Sequence, residues 1–192
     1  MHQSRAIVLH QIKYSETSLI LKIYTEKEGL LSFIAKGVRG KKGKLRSAQF
    51  QTLNLLELSY KEARRSELRH IIDLKISEPF TELLFNPVKR SIALFMAELI
   101  QHCIKEEEPN PELFNFLYSS IHWLDLNRGS CSHFHLLFMM KLTKYLGFYP
   151  MLDGHHQDGY FDLQQGVFST HKPLHAYYID SEDLDAWKEL IY

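Results

Sequence analysis

Residues 6–38 read AIVLHQIKYSETSLILKIYTEKEGLLSFIAKGV, and three strand-like runs follow one another in them. Ala6–Tyr14 is β-branched and apolar, and in Ser18–Thr25 the residues Leu19, Leu21 and Ile23 alternate with Ile20, Lys22 and Tyr24. A period of two places alternate side chains on opposite faces of a strand, so one face is destined for a core. Gly29–Val38 reads as a third strand, entered through a turn at EKEG in which Gly29 can take a positive φ. Downstream, Thr52–Tyr60 and Leu68–Ser77 read as two more, separated by the charged KEARRSE.

Five short strands without a long helix suit a small closed barrel, which leaves no open sheet edge. The expectation is an α+β chain: an N-terminal five-stranded OB-fold β-barrel over residues 1–79, then a helical domain with a small β-hairpin over 80–192. The period changes after Pro79 and Pro87. Val88–Lys105 spaces Ile92, Phe95, Met96, Leu99 and Cys103 as a core-facing helical stripe. Glu112–Leu126, with Asn110 to cap it, and the apolar Cys131–Leu146 are two further helices. Tyr160–Leu163 and Val167–Ser169 suggest a hairpin, and Ser181–Ile191 opens a last helix with acids in its first turn.

Between the third and fourth strands lies KGVRGKKGKLR, residues 36–46, with six cations, three glycines and no acid. Glycine-spaced cations suit a polyanion, because each cation that neutralises a phosphate releases condensed counterions. The net charge of zero hides an asymmetry: residues 1–75 hold 15 Lys and Arg against 7 acids, a net +8, and the rest of the chain is −8. A basic module followed by an acidic one is expected to bind nucleic acid through the first. Two cysteines, Cys103 and Cys131, exclude a disulfide framework and fit a reducing compartment. No signal-peptide pattern or apolar run of membrane length is visible, so a cytoplasmic protein is the expectation, nucleoid-associated if it binds DNA as its charge suggests. There is no P-loop or nucleophile elbow, and the acids Glu106, Glu107 and Glu108 read as a solvated loop.

The motifs RAIVLHQIKYSETSLILKIYTEKEGLLSFIAKGVR, the basic run and KYLGFYP occur in an order that resembles the RecO family of bacterial recombination mediators. The segments LFNFLYSSIHWLD and FHLLFMMKLTKYLGFYP are similar to its Bacteroidetes-like branch. The resemblance implies a non-enzymatic DNA repair protein that binds single- and double-stranded DNA and anneals complementary strands. It also implies work with RecR to place RecA on DNA coated by single-strand-binding protein. A degenerate relative kept as a protein-interaction scaffold is the alternative. Many members carry a four-cysteine zinc motif where this chain has Leu152–His175 without cysteine, so no cofactor is expected; the family also usually extends beyond the point reached at Tyr192.

The resemblance places DNA contacts at Lys36 and Arg39. Charge adds Lys22, Lys41, Lys42, Lys44, Arg46, Arg64, Arg65 and Arg69. Tyr14, Tyr24 and Phe33 are possible stacking rings, although a barrel aromatic is more often core. A partner such as the acidic tail of single-strand-binding protein needs a cation beside an apolar pocket, for which Lys89, Arg90, Arg128, Lys141 and Lys144 are available. His155, His156, His171 and His175 with Asp153 and Asp158 could ligate a metal, but their irregular spacing favours solvated loop residues.

Overall fold

The alternating run Leu19, Leu21, Ile23 turns inward, and its partners do the same. In the computed structural model, which describes residues 1–38, 45–62, 68–105, 107–150 and 159–191, the first five strands close a barrel in the order β1-β2-β3-β5-β4. They are β1 (His2–Lys13), β2 (Leu19–Thr25), β3 (Gly29–Ala35), β4 (Leu55–Lys61) and β5 (Arg69–Ile76). β1 is long enough to pair with β2 through its second half and with β4 through its first. The remaining pairings are antiparallel except β3–β5, which is parallel and joins Phe33 to Arg69 and Ile34 to His70. The core holds Val8, Leu21, Ile23, Leu31, Phe33, Leu56, Leu58 and Tyr60. Burying each large side chain contributes about 1.5–3 kcal/mol, which is why the inward parity fixes the register.

β1 carries an irregularity between Val8 and His10. There the Val8 amide and carbonyl bond to Asn54 O (3.1 Å) and Leu53 N (2.6 Å) instead of extending the ladder. Leu53 sits at φ 65°, a strained value for a branched side chain, and its complete burial offsets that strain. The Leu9 carbonyl, also displaced from the ladder, accepts from Gln101 Nε2 at 3.1 Å. Gln101 lies on α1 (Pro87–Cys103), so the bulge is where the first helix attaches to the barrel.

Asn86 starts α1 by accepting from the Val88 and Lys89 amides, and Asn110 does the same for Leu113 at the head of α2 (Pro111–Leu126). The stripe of α1 is rotated from the expected one: Lys89, Ile92, Ala93, Met96, Ala97 and Ile100 are buried, and Phe95 is on the exposed side. Small Ala93 and Ala97 allow close approach, a property that hydrophobicity alone does not reveal.

Arg5 of β1 ties the barrel to α2. Its guanidinium donates to Glu26 at 2.9 and 2.6 Å and to Asn115 Oδ1 at 2.9 Å, and it lies 5.2 Å from the Phe114 and Tyr118 ring centres. The Glu26 hydrogen bond raises the Arg5 pKa, and Arg5 in turn holds Glu26 below the ordinary carboxylate range. Lysine keeps the charge but not the planar fork. Arg5→Lys is therefore expected to cost about 1 kcal/mol in chemical denaturation and Arg5→Ala about 1–2 kcal/mol, the ion pair being half exposed.

The compact units are Met1–Ser132, containing the barrel with α1 and α2, and His133–Tyr192. The second contains α3 (Phe134–Tyr145), a small sheet in the order β7-β6-β8, and α4 (Leu184–Ile191), which packs with α3. Its strands are β6 (Tyr160–Asp162), β7 (Val167–Ser169) and β8 (Tyr178–Ile179). The hairpin turns at Gly166, φ 71°, and the two-residue β8 is an addition to the expected pair. Asp162 Oδ1 accepts from the Gln164 and Gln165 amides at 2.8 and 3.0 Å, and Oδ2 lies 3.1 Å from His175 Nε2.

Candidate nucleic-acid interface

The residues that alternate with the core form the outer face of β1–β2–β3. Register places Ile12, Ile20 and Ile34 in one row, continued on β5 by His70, and His10, Lys22 and Ser32 in the next. His10, Ile12, Lys22 and His70 are exposed and Ile20 is half-buried, whereas Ile34 is buried at 9% exposure. The other end of the same face is covered. Tyr24, in the outward parity, is buried with its ring 6.1 Å from that of Phe114 on α2.

The barrel holds both ends of the basic run. Val38 and Leu45 are members of the core cluster, and the Val38 amide donates to Thr17 O at 2.9 Å, fastening the run to the β1–β2 turn. Lys36 and Arg46 are exposed on either side of these anchors. The Arg46 amide donates to Gln49 Oε1 at 2.7 Å at the start of a 3₁₀ turn, Ser47–Phe50. Lys22 is thus presented by a strand, and Lys36 and Arg46 adjoin segments that the barrel holds, a good basis for a phosphate-binding track. Arg39, Lys41, Lys42, Lys44, Arg64 and Arg65 lie outside the described residues.

Arg69 is placed differently from the other cations. Its guanidinium is 3.8 Å from Glu28, half-buried at a barrel end where Glu28 also accepts from Tyr60 Oη (2.6 Å) and meets His2 Nδ1 (2.9 Å). Burial, followed by the bond to Glu28, pushes the Tyr60 phenol well above its ordinary range. Arg69 is engaged in closing the barrel there. Tyr24 and Phe33 are likewise core residues, at 1% and 0% exposure, and cannot stack on bases; Tyr14 is exposed in the β1–β2 turn. A groove on the opposite side of the barrel is lined by Arg5, Lys27 and Lys75 but also Glu26, Glu57 and Asp73, a balance that offers a polyanion no net attraction.

Of the cations considered for a protein partner, Arg90 on α1, Arg128 and, on α3, Lys141 and Lys144 are exposed. Lys89 is withdrawn from that set. It is 3% exposed and its Nζ donates to the Asp125 carbonyl at 2.7 Å, capping the negative C-terminal end of α2. Its position in the apolar stripe of α1 was the available signal. Among the described residues no group of three His, Cys, Asp or Glu side chains could hold a metal ion. His171 contacts Thr170 and His175 contacts Asp162, while Asp153, His155, His156, Asp158 and Glu106 lie outside the described residues. No helix among the described residues is long and apolar enough to cross a membrane. The sequence reading missed His10, Ile12, Ile20 and His70, although Ile20 already alternates with the core in β2.

A closed five-stranded barrel with a partly open, cationic outer face, followed by helices, defines an OB-fold protein with a helical extension. The family model described as recombination protein O N terminal matches residues 1–80, and that of the C terminal matches residues 84–189. The chain belongs to the RecO family of DNA repair proteins, a non-enzymatic mediator family. It is 40% identical to a DNA repair protein RecO of Bacteroides fragilis over 184 residues, 95% of this chain and 76% of that protein. A second, from Phocaeicola vulgatus, is 35% identical over 95% of this chain and 76% of its own length. A third, from Flavobacterium psychrophilum, is 37% identical over 91% and 71%.

Proposed function

We propose that this chain is a cytoplasmic recombination mediator that binds single- and double-stranded DNA without sequence preference and anneals complementary strands. With RecR it helps load RecA onto DNA coated by single-strand-binding protein. The observation that carries the DNA-binding step is the outer face of β1–β2–β3, where Lys22 is exposed, together with the exposed Lys36 and Arg46 next to the barrel-anchored Val38 and Leu45 at the ends of the basic run. No recognition helix enters into this reading, so phosphate contacts dominate and sequence is not read. The module works without a bound metal, and Arg90, Arg128, Lys141 and Lys144 are exposed cations available to acidic partners.

Fluorescence-anisotropy titration of labelled single-stranded DNA across a salt series tests this. The native protein is expected to show a steep fall in affinity with salt. Lys22→Ala/Lys36→Ala/Arg46→Ala is expected to reduce the log–log slope by about 2, since each lost phosphate contact removes about 0.7 on a single strand. Equal slopes for the two proteins would place the clamp elsewhere. Absence of salt-dependent binding by the native protein would favour the scaffold alternative.

A further inference from the structure

Apart from the imidazoles of His10 and His70, the described residues of the open face lack the rings that normally hold bases. Its first row is Ile12, Ile20 and Ile34, continued by His70, and its second is His10, Lys22 and Ser32. Tyr24, the aromatic ring in the outward parity of β2, is covered beside Phe114. Among the described residues of β1–β3, no exposed Phe, Tyr or Trp lies on this face; Tyr14 stands at its rim, in the turn. Residues 39–44 and 63–67 contain no aromatic residue in their sequence. A single-strand platform that stacks bases uses successive aromatic rings, each base contributing about five- to 150-fold in affinity.

We propose, resting on the DNA-binding reading above, that this face grips a single strand by its phosphates and sugars alone and leaves the bases unstacked from the protein. Cations flanking an aliphatic floor provide such a grip: Lys22 and Lys36 neutralise phosphates, and Ile12 and Ile20 exclude water from the deoxyriboses. The consequence is mechanistic. Bases that are not sandwiched between protein rings keep their pairing edges accessible, so a complementary strand can pair with the bound one before it is released.

The test uses the full chain with two labelled oligomers of equal length and equal phosphate number, oligo-dT and a wholly abasic analogue. The expected result is equal salt slopes and dissociation constants within about three-fold, with bound thymines as reactive to permanganate as unbound ones. A loss of more than about three-fold on the abasic strand, or protection of the thymines, would overturn the proposal. That holds whichever side chain did the stacking, the imidazoles of His10 and His70 and the Tyr14 ring included. Failure of both oligomers to bind would instead remove the DNA-binding reading itself. As a second arm, Ile12→Trp and Ile20→Tyr, checked for native melting, would install a ring at the exposed and half-buried positions of the row. Each is expected to tighten oligo-dT binding about five-fold or more and to slow annealing of complementary oligomers. Tighter binding with unchanged annealing would refute the link between accessible bases and annealing.

Discussion

Replacing Asp125 by alanine is expected to lower the unfolding free energy by about 3–5 kcal/mol, because several buried donors lose their acceptor together. Asp125 is 3% exposed on α2, and its carboxylate accepts from the backbone amides of Thr81 (3.1 and 3.0 Å), Glu82 (2.9 Å) and Leu83 (2.7 Å) and from the Thr81 hydroxyl (3.0 Å). The segment that these donors belong to carries the chain out of the barrel toward α1. Burial pushes the carboxyl pKa up, but the Thr81, Leu83 and Glu82 amides and the Thr81 hydroxyl together outweigh it and hold the pKa below its ordinary value. A depressed carboxyl pKa means that the unfolded chain binds the proton more readily. The contribution is therefore complete above the unfolded value of about 4 and is lost as the pH falls through the lower folded value. Asp125→Asn, which keeps the shape but turns an N–H toward the same donors, should show it directly. Urea titrations at pH 7 and at successively lower pH should find its stability deficit shrinking on acidification; a constant deficit would mean that Asp125 does not titrate with folding.

Gly159→Ala is expected to unpair the small sheet. Gly159 has φ 146°, which an L side chain rarely adopts, and a Cβ there would run into the carbonyl of Ser169, with Thr170 Cα at 3.2 Å. These are backbone atoms of the β7 end that pairs with Tyr160, so they cannot move aside without breaking the Tyr160–Ser169 register. A sheet of three strands, the longest of three residues, has little burial with which to absorb several kcal/mol of strain. Limited proteolysis and amide hydrogen exchange should show loss of protection over residues 160–179 while the barrel strands keep theirs. Retained protection at Phe161 and Phe168 would contradict the expectation.

Much of the barrel was legible because strand alternation is a local code. Leu19, Leu21 and Ile23 turn inward as their spacing requires, and the five strands appear within a few residues of the expected positions. The start of α2 was legible where Asn110 stands before proline. The helical stripe was less so. Phe95 is exposed while Ala93 and Ala97 are buried, because close packing rewards small side chains that hydrophobicity scales rank low.

By itself the sequence determined the closed barrel, the family and the concentration of positive charge at residues 36–46, since each depends on local periodicity, motif order or composition. Only the tertiary structure decided which part of the outer face stays open. Tyr24 and Lys22 share one parity of β2, yet Tyr24 is sealed beside Phe114 and Lys22 is exposed. Lys89 and Arg90 are neighbours in sequence, yet one caps α2 from inside and the other is exposed. Alternation fixes which side of a strand a residue takes, but whether that side meets water depends on what packs there, and the covering helix lies about ninety residues further along the chain.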